Sequence, residues 1–441
     1  MESRAKKEEN FDSPTLINYL KQDIPIEEIR DYSSSGRIES IDFVKGFAII
    51  FIILAHYAAV WLNEDWYFVY GLAFMFLDIL GPSLFVFLSA LSVVFTVKRK
   101  KGKMPEKLIR NRVFSRGLII MAIGVLINLT VTNYAFPLNL WGWNILFFMG
   151  FSQIFSYYAL KLTKMPRVLI GIFIIFLTPT IRAFLYNEQN TNLIVGFFHF
   201  IITSANPSVT LLPWLSICFI STIFGEYLYE AMNEKSENTY RGLFRIFFTW
   251  GIFLIIAGVI LGYSLQTFLT MNKYEYGHLD LLRIANSQSF FYLPGMPDFL
   301  IRGTASNMLY NLGAALTIIA IAFYFIDLKG KSNNIVRMFK YYGKISLSLF
   351  MVHFIFMPLY VKQLNIFLFP VIYIANIGLL GFLMYIWIEY GKGIGSPEWL
   401  MVQIGRIGQK TGENIKKTSK VAVEKTSSII EKTKQSIKKK N

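Results

Sequence analysis

Lys45 and His56 stand eleven residues apart in the apolar stretch from Ile41 to Tyr57. That spacing is close to three turns of α-helix, so both side chains fall on one face. The ammonium and the imidazole are then anchored about 16 Å apart along the axis, one at a membrane surface and the other deep. Ionisable groups in a spanning helix cost a few kcal/mol, so they face a protein interior or a water-filled cavity and mark a pathway or a reaction site. Lys45 can snorkel toward phosphate groups. His56, neutral near pH 7, can act as a general base or accept a hydrogen bond. The competing reading of His56 is a structural imidazole bonded to a neighbouring helix.

A second group is Arg110, Arg112 and Arg116, which open the third apolar run. Arg112 and Arg116 are one turn apart, and guanidinium forks on one face suit a polyphosphate such as the 3′-phospho-ADP part of coenzyme A. The alternative is charge that only sets topology. Asp78 and Pro82 lead into the second run, and Asp78 is expected at the depth of His56, where a carboxylate could orient the imidazole; an N-cap role is the alternative. His353, mid-run, is a secondary candidate. His199 and His278 fall in expected outer segments and are taken as surface residues. The histidines show no metal-ligand spacing, so no metal is expected. No G-x-S-x-G, Walker A, dinucleotide fingerprint or cysteine pair is present, which removes several soluble-enzyme classes.

The elements that must position these residues are spans. The chain of 441 residues is 54% hydrophobic and 17% aromatic, with mean hydropathy +0.45, which is too apolar for a soluble protein of this length. Ten apolar runs are long enough to cross a bilayer, at about 41–62, 74–97, 113–132, 141–161, 167–186, 209–231, 244–269, 306–326, 342–361 and 364–390. The expected fold is an all-α polytopic transmembrane bundle. Basic residues test it: 98–116 carries nine Lys and Arg, whereas 63–73, 133–140 and 187–208 carry none. Alternation of this kind places both termini in the cytoplasm. Only 271–303, with Lys273, Arg283 and Arg302, and the link at Lys362 dilute it. The net charge of +16 then records topology and a basic tail, with no nucleic-acid partner needed. Cys218 is the one cysteine, so no intrachain disulfide forms. No cleaved signal peptide is expected.

Residues 1–36 read as a polar extension, 37–400 as the membrane domain and 401–441 as a basic tail. The tail is either an amphipathic helix on the anionic inner leaflet or solvated chain. The outer segments 187–208 and 271–303 are long enough to cap an acceptor site, or are ordinary loops.

Arg37-Ile38-Glu39-Ser40-Ile41-Asp42, with Lys45-Gly46 and Ala55-His56-Tyr57, resembles the opening of the transmembrane acyltransferase superfamily. That group includes acyltransferase family 3 and the heparan-α-glucosaminide N-acetyltransferase-like and YeiB-like proteins. The likeness continues through Asp78 to Pro82, Leu84 to Ala90, Leu212-Pro213-Trp214 with Gly225, and Gly343 to His353, ending in Gly395-Ser396-Pro397-Glu398-Trp399-Leu400, similar to a closing signature of the YeiB-like branch. The resemblance implies transfer of an acyl group from cytoplasmic acyl-CoA to a sugar hydroxyl or amine on the outer side. In acyltransferase family 3 an Arg precedes the first-span His by eleven positions; here Lys45 stands there. Heparan-type members have Asn in place of His56 and a working His in the next loop; Trp61 to Met75 has none here.

The expected protein is therefore a plasma-membrane acyltransferase using acyl-CoA, with acetyl-CoA the expected donor, and a glycan, amino sugar or lipid acceptor. Lys45, Arg110, Arg112 and Arg116 hold the donor phosphates, and His56 acts as base or acyl carrier with Asp78 orienting it. A transporter or flippase, or a non-catalytic membrane scaffold, are the rivals.

Overall fold

The computed structural model describes residues 38–102, 105–131, 140–203, 209–234, 236–270, 276–401 and 403; the polar extension and nearly all of the basic tail lie outside them. The fold is all-α, with 79% of the described residues helical. Fourteen α-helices follow in the described residues: α1 Glu39–Trp61, α2 Tyr67–Leu77, α3 Pro82–Lys100, α4 Glu106–Val131, α5 Ile145–Ala159, α6 Lys164–Glu188, α7 Leu193–Thr203, α8 Leu211–Glu234, α9 Glu237–Leu261, α10 Asp280–Ala285, α11 Ala305–Phe323, α12 Asn334–Lys344, α13 Ser346–Phe356 and α14 Leu368–Glu389. One two-residue strand pair, Leu265–Gln266 with Met296–Pro297, ties down the connection between α9 and α11.

Every one of the ten apolar runs holds a helix, but not ten full crossings. Among the described residues eight helices are long and apolar enough to span, and a ninth crossing arises if α12 and the segment Ser346–Tyr360, bent by 89° between them, count as one. The run 141–161 holds α5, whose 15 residues reach only about 22 Å, short of the ~30 Å hydrocarbon layer.

Helix α1 packs against α2, α3, α11, α12, α13 and α14. Its first N–H groups have no intrahelical partner, and the Asp327 carboxylate supplies one, accepting from Glu39 N at 3.0 Å and Ser40 N at 3.1 Å. Glu398, from the closing signature, does the same for α13, accepting from Leu347 N at 3.1 Å, Ser348 N at 3.0 Å and the Ser348 hydroxyl. The bend after α12 exposes those donors, which is why a carboxylate is needed there.

Crossing of α1 and α12 depends on two glycines. A Cβ on Gly46 would sit 1.9 Å from the Phe339 carbonyl oxygen, and one on Gly343 1.8 Å from that of Asp42. Backbone meets backbone here, so no rotamer change relieves a side chain. The close approach brings Lys45 and Lys344 to one cavity.

Register between α1 and α13 is set by a stacked pair one turn apart, Tyr57 and Trp61, with ring centres 3.9 Å apart. The Tyr57 hydroxyl donates to the His353 carbonyl at 3.1 Å and the Trp61 indole to that of Met357 at 2.8 Å. These two bonds place His56 opposite His353.

Candidate active site

Two cavities lie one behind the other along the bundle. The first, about 550 Å³, is lined by the start of α1, the end of α3, the start of α4 and the α12–α13 bend. Lys45, Arg99, Lys100, Arg112, Arg116 and Lys344 all line it, with Asp42 and Glu398 the two carboxyl groups. Cations thus outnumber carboxyl groups, and guanidinium and ammonium donors suit phosphate oxygens.

The second cavity, about 570 Å³, is lined by the far half of α1, by α2, by the turn into α3 and by residues 276–303. His56 and Asp78 both face it. His56 Nδ1 lies 2.9 Å from Nε2 of His353, and Phe350 and Phe354 flank the imidazole at 6.1 and 5.7 Å. Asp78 begins the short 3-10 turn Asp78–Leu80 that joins α2 to α3. Arg302 binds it in fork geometry, Nε donating to Oδ2 at 3.0 Å and Nη2 to Oδ1. His278 Nε2 is 3.9 Å from the same carboxylate. Arg182, from α6, is buried at the wall with its guanidinium 4.3 Å from the Tyr276 ring centre, donating to the Gly303 carbonyl at 3.3 Å.

The expected constellation is therefore partly reassembled. Lys45 and His56 do share the cavity-facing side of α1, and Arg112 and Arg116 do line one surface. Arg110 does not join them and is exposed; it precedes Arg112 by two residues, about 200° around the helix. Asp78 does not orient His56, nor does it cap α3. Its carboxylate is engaged by Arg302 and His278, and the partner of His56 is His353. His278, expected at the surface, is buried in the site, with 7% of its side chain exposed. His199 is half-buried on α7, away from both cavities. Segment 276–303 does cover a cavity, whereas the described part of 187–208 contributes no lining residue.

Arg99, Lys100, Lys344, Arg182, His278 and Arg302 are the site residues that sequence reasoning missed. A signal existed for two of them. Arg302 breaks the alternation of basic connections, and Arg182 is a charge inside a span, subject to the same cost argument that selects His56.

Among the described residues none lines both cavities. On α3 the linings are three residues apart, Pro82 and Phe85; on α13 likewise, Leu347 and Phe350; on α5 four, Ile145 and Met149. The separating layer is about one helical turn, roughly 5 Å, thick on these helices, with Ser83 and Ser348 among its mostly apolar residues, and wider on α1, from Lys45 to Phe51, and on α4, from Ile120 to Ile127.

His278 carries a pH dependence of stability. Burial pushes its imidazole from 6.5 down to about 4, Asp78 opposing the shift and Arg302 adding to it. The unfolded chain binds a proton below about 6.5 while the folded chain resists until about 4, so this contribution is full above the first value and lost as pH falls toward the second, by about 3 kcal/mol in all. The thermal midpoint of the protein in detergent is expected to drop less across this window in His278→Gln than in wild type. Parallel pH curves for the two proteins would refute this.

These observations define a polytopic helical membrane protein holding a cationic chamber behind an imidazole-lined one. Residues 37–251 match the family model described as heparan-alpha-glucosaminide N-acetyltransferase, catalytic, and this part of the chain is similar to that family of transmembrane acyltransferases. The matched region contains Lys45, His56, Asp78, Arg112, Arg116 and Arg182; His278, Arg302 and His353 fall beyond it. No curated protein matches the chain.

Proposed function

We propose that the protein is an acyl-CoA-dependent transferase of the plasma membrane, moving an acetyl group from a cytoplasmic donor to a hydroxyl or amine of a glycan, amino sugar or lipid on the outer side. The observation that carries this reading is the stacking of the two chambers in a chain whose residues 37–251 match an N-acetyltransferase family model. Positive charge at one end suits the coenzyme A phosphates, held by Lys45, Arg112 and Arg116 with Arg99, Lys100 and Lys344. The basic connections favour a cytoplasmic position for that end and for both termini. At the other end His56 takes the acceptor's proton as its oxygen or nitrogen bonds to the thioester carbonyl carbon. The C–S bond breaks, and the same proton passes on to the departing thiolate. The pantetheine arm has about one helical turn to cross along α3, α5 and α13.

Acetyl-CoA at a hundredfold excess over its Kd is expected to stabilise the purified protein by about 2.7 kcal/mol, and Lys45→Gln with Arg116→Gln to remove most of that shift. Transfer of labelled acetyl to glycan and amino-sugar acceptors is the accompanying assay. A midpoint unmoved by acetyl-CoA would sink the proposal.

The thin layer between oppositely placed cavities also favours a second reading, a lipid or glycan transporter. Substrate movement in proteoliposomes without any acyl donor distinguishes it.

A further inference from the structure

His353 is fully buried, at 0% exposure, and its two ring nitrogens have separate partners. Nδ1 meets the carbonyl oxygen of Phe350, one turn back along α13. Nε2 stands 2.9 Å from Nδ1 of His56, with the rings nearly parallel at 27° and centred 5.1 Å apart. A carbonyl oxygen brings no proton, so Nδ1 of His353 is the donor of that bond. With this hydrogen placed, the neutral ring presents a bare lone pair at Nε2, and the bond to His56 then requires the hydrogen on Nδ1 of His56. The opposite arrangement protonates both nitrogens of His353. That puts a full charge in a ring with no carboxylate among its contacts, inside a spanning bundle, which is far costlier than a neutral pair.

We infer that His353 is a positioning residue that fixes His56 in its Nδ1–H tautomer, so that Nε2 of His56 is the bare nitrogen offered to the second cavity. The backbone of His353 is itself held by the Tyr57 hydroxyl at 3.1 Å, one residue from His56 on the same helix. The arrangement thus fixes ring orientation and proton position together, as a partner on the second nitrogen commonly does. Its catalytic consequence rests on the acyltransferase reading; the tautomer itself does not. When Nε2 accepts the proton of the acceptor, the imidazolium keeps Nδ1–H on His353, and the charge formed is shared through that bond until Nε2 returns its proton to the leaving thiolate. No net proton leaves the pair.

The test begins with wild-type protein labelled with ¹⁵N-histidine, in detergent. Only four histidines contribute, and single replacements assign them. The ring nitrogen shifts are expected to show His56 protonated at Nδ1 and bare at Nε2, and His353→Leu to move that hydrogen to Nε2, the form a free imidazole prefers. A wild-type His56 protonated at Nε2 overturns the inference, as does a tautomer unchanged in His353→Leu. In the transfer assay with acetyl-CoA, His353→Leu is expected to lower kcat by about 10²-fold with little change in KM. His353→Gln, whose amide oxygen can accept from Nδ1–H, recovers most of that loss. Transfer abolished in His56→Ala but intact in His353→Leu overturns the positioning role. Transfer intact in both variants strikes the acyltransferase reading instead, while the nitrogen shifts still decide the tautomer.

Discussion

Alanine in place of His56 is expected to lower acetyl transfer by about 10²- to 10⁴-fold, the usual contribution of a positioned general base. The loss should fall on kcat. His56 lines the second cavity and not the cationic one, so acetyl-CoA should still stabilise His56→Ala as it does wild type. Folding should change little, because the ring is only half-buried and the α1–α13 register is held by Tyr57 and Trp61. Labelled-acetyl incorporation beside ligand-induced thermal shifts separates the two effects. Equal incorporation by variant and wild type removes His56 from the chemistry.

Breaking the pair of Asp78 and Arg302 is expected to have the largest effect on stability. Their side chains are 14% and 18% exposed, so Arg302→Met leaves a largely desolvated carboxylate without its cation, a loss of about 3–5 kcal/mol. The double variant Asp78→Asn, Arg302→Met removes the stranded charge and should recover a substantial part of that loss. Midpoints of the two single variants and the double variant in detergent form the cycle; additive losses would show that the two groups do not act together. A functional effect accompanies the structural one. Arg302 anchors residues 276–303 over the cavity by binding the turn between α2 and α3, so its loss should raise the acceptor KM as well.

Much of the fold was legible because lipid leaves few options: ten apolar runs announce helices, and each is a helix. The run 141–161 is longer than α5 for a simple reason: α5 starts only after Trp141 to Trp143, at Asn144, whose side chain caps the helix by accepting from Phe147 N. Facing of Lys45 and His56 follows from helical period alone. So does the shared surface of Arg112 and Arg116, and the same period, applied to Arg110, points it away. What period cannot supply is a partner from elsewhere in the chain. His56 and His353 are 297 positions apart and Asp78 and Arg302 are 224, and only the packing of α13 on α1 and of the covering segment on α2 makes them neighbours. His278 gave no local sign, because nothing in its short turn distinguishes a surface imidazole from one folded under against Asp78.

The layer between the two chambers bears on more than the proposed reaction. Two chambers with charged walls, separated by about one helical turn on α3, α5 and α13, come close to forming a pore, and any cell that keeps a proton gradient must prevent that. In the proposed reaction the barrier has to part for the uncharged pantetheine thioester arm yet stay tight to hydrated ions. Such a seal tolerates a short, slim group far better than a long one, and so ties the size of what can be donated to the integrity of the membrane itself.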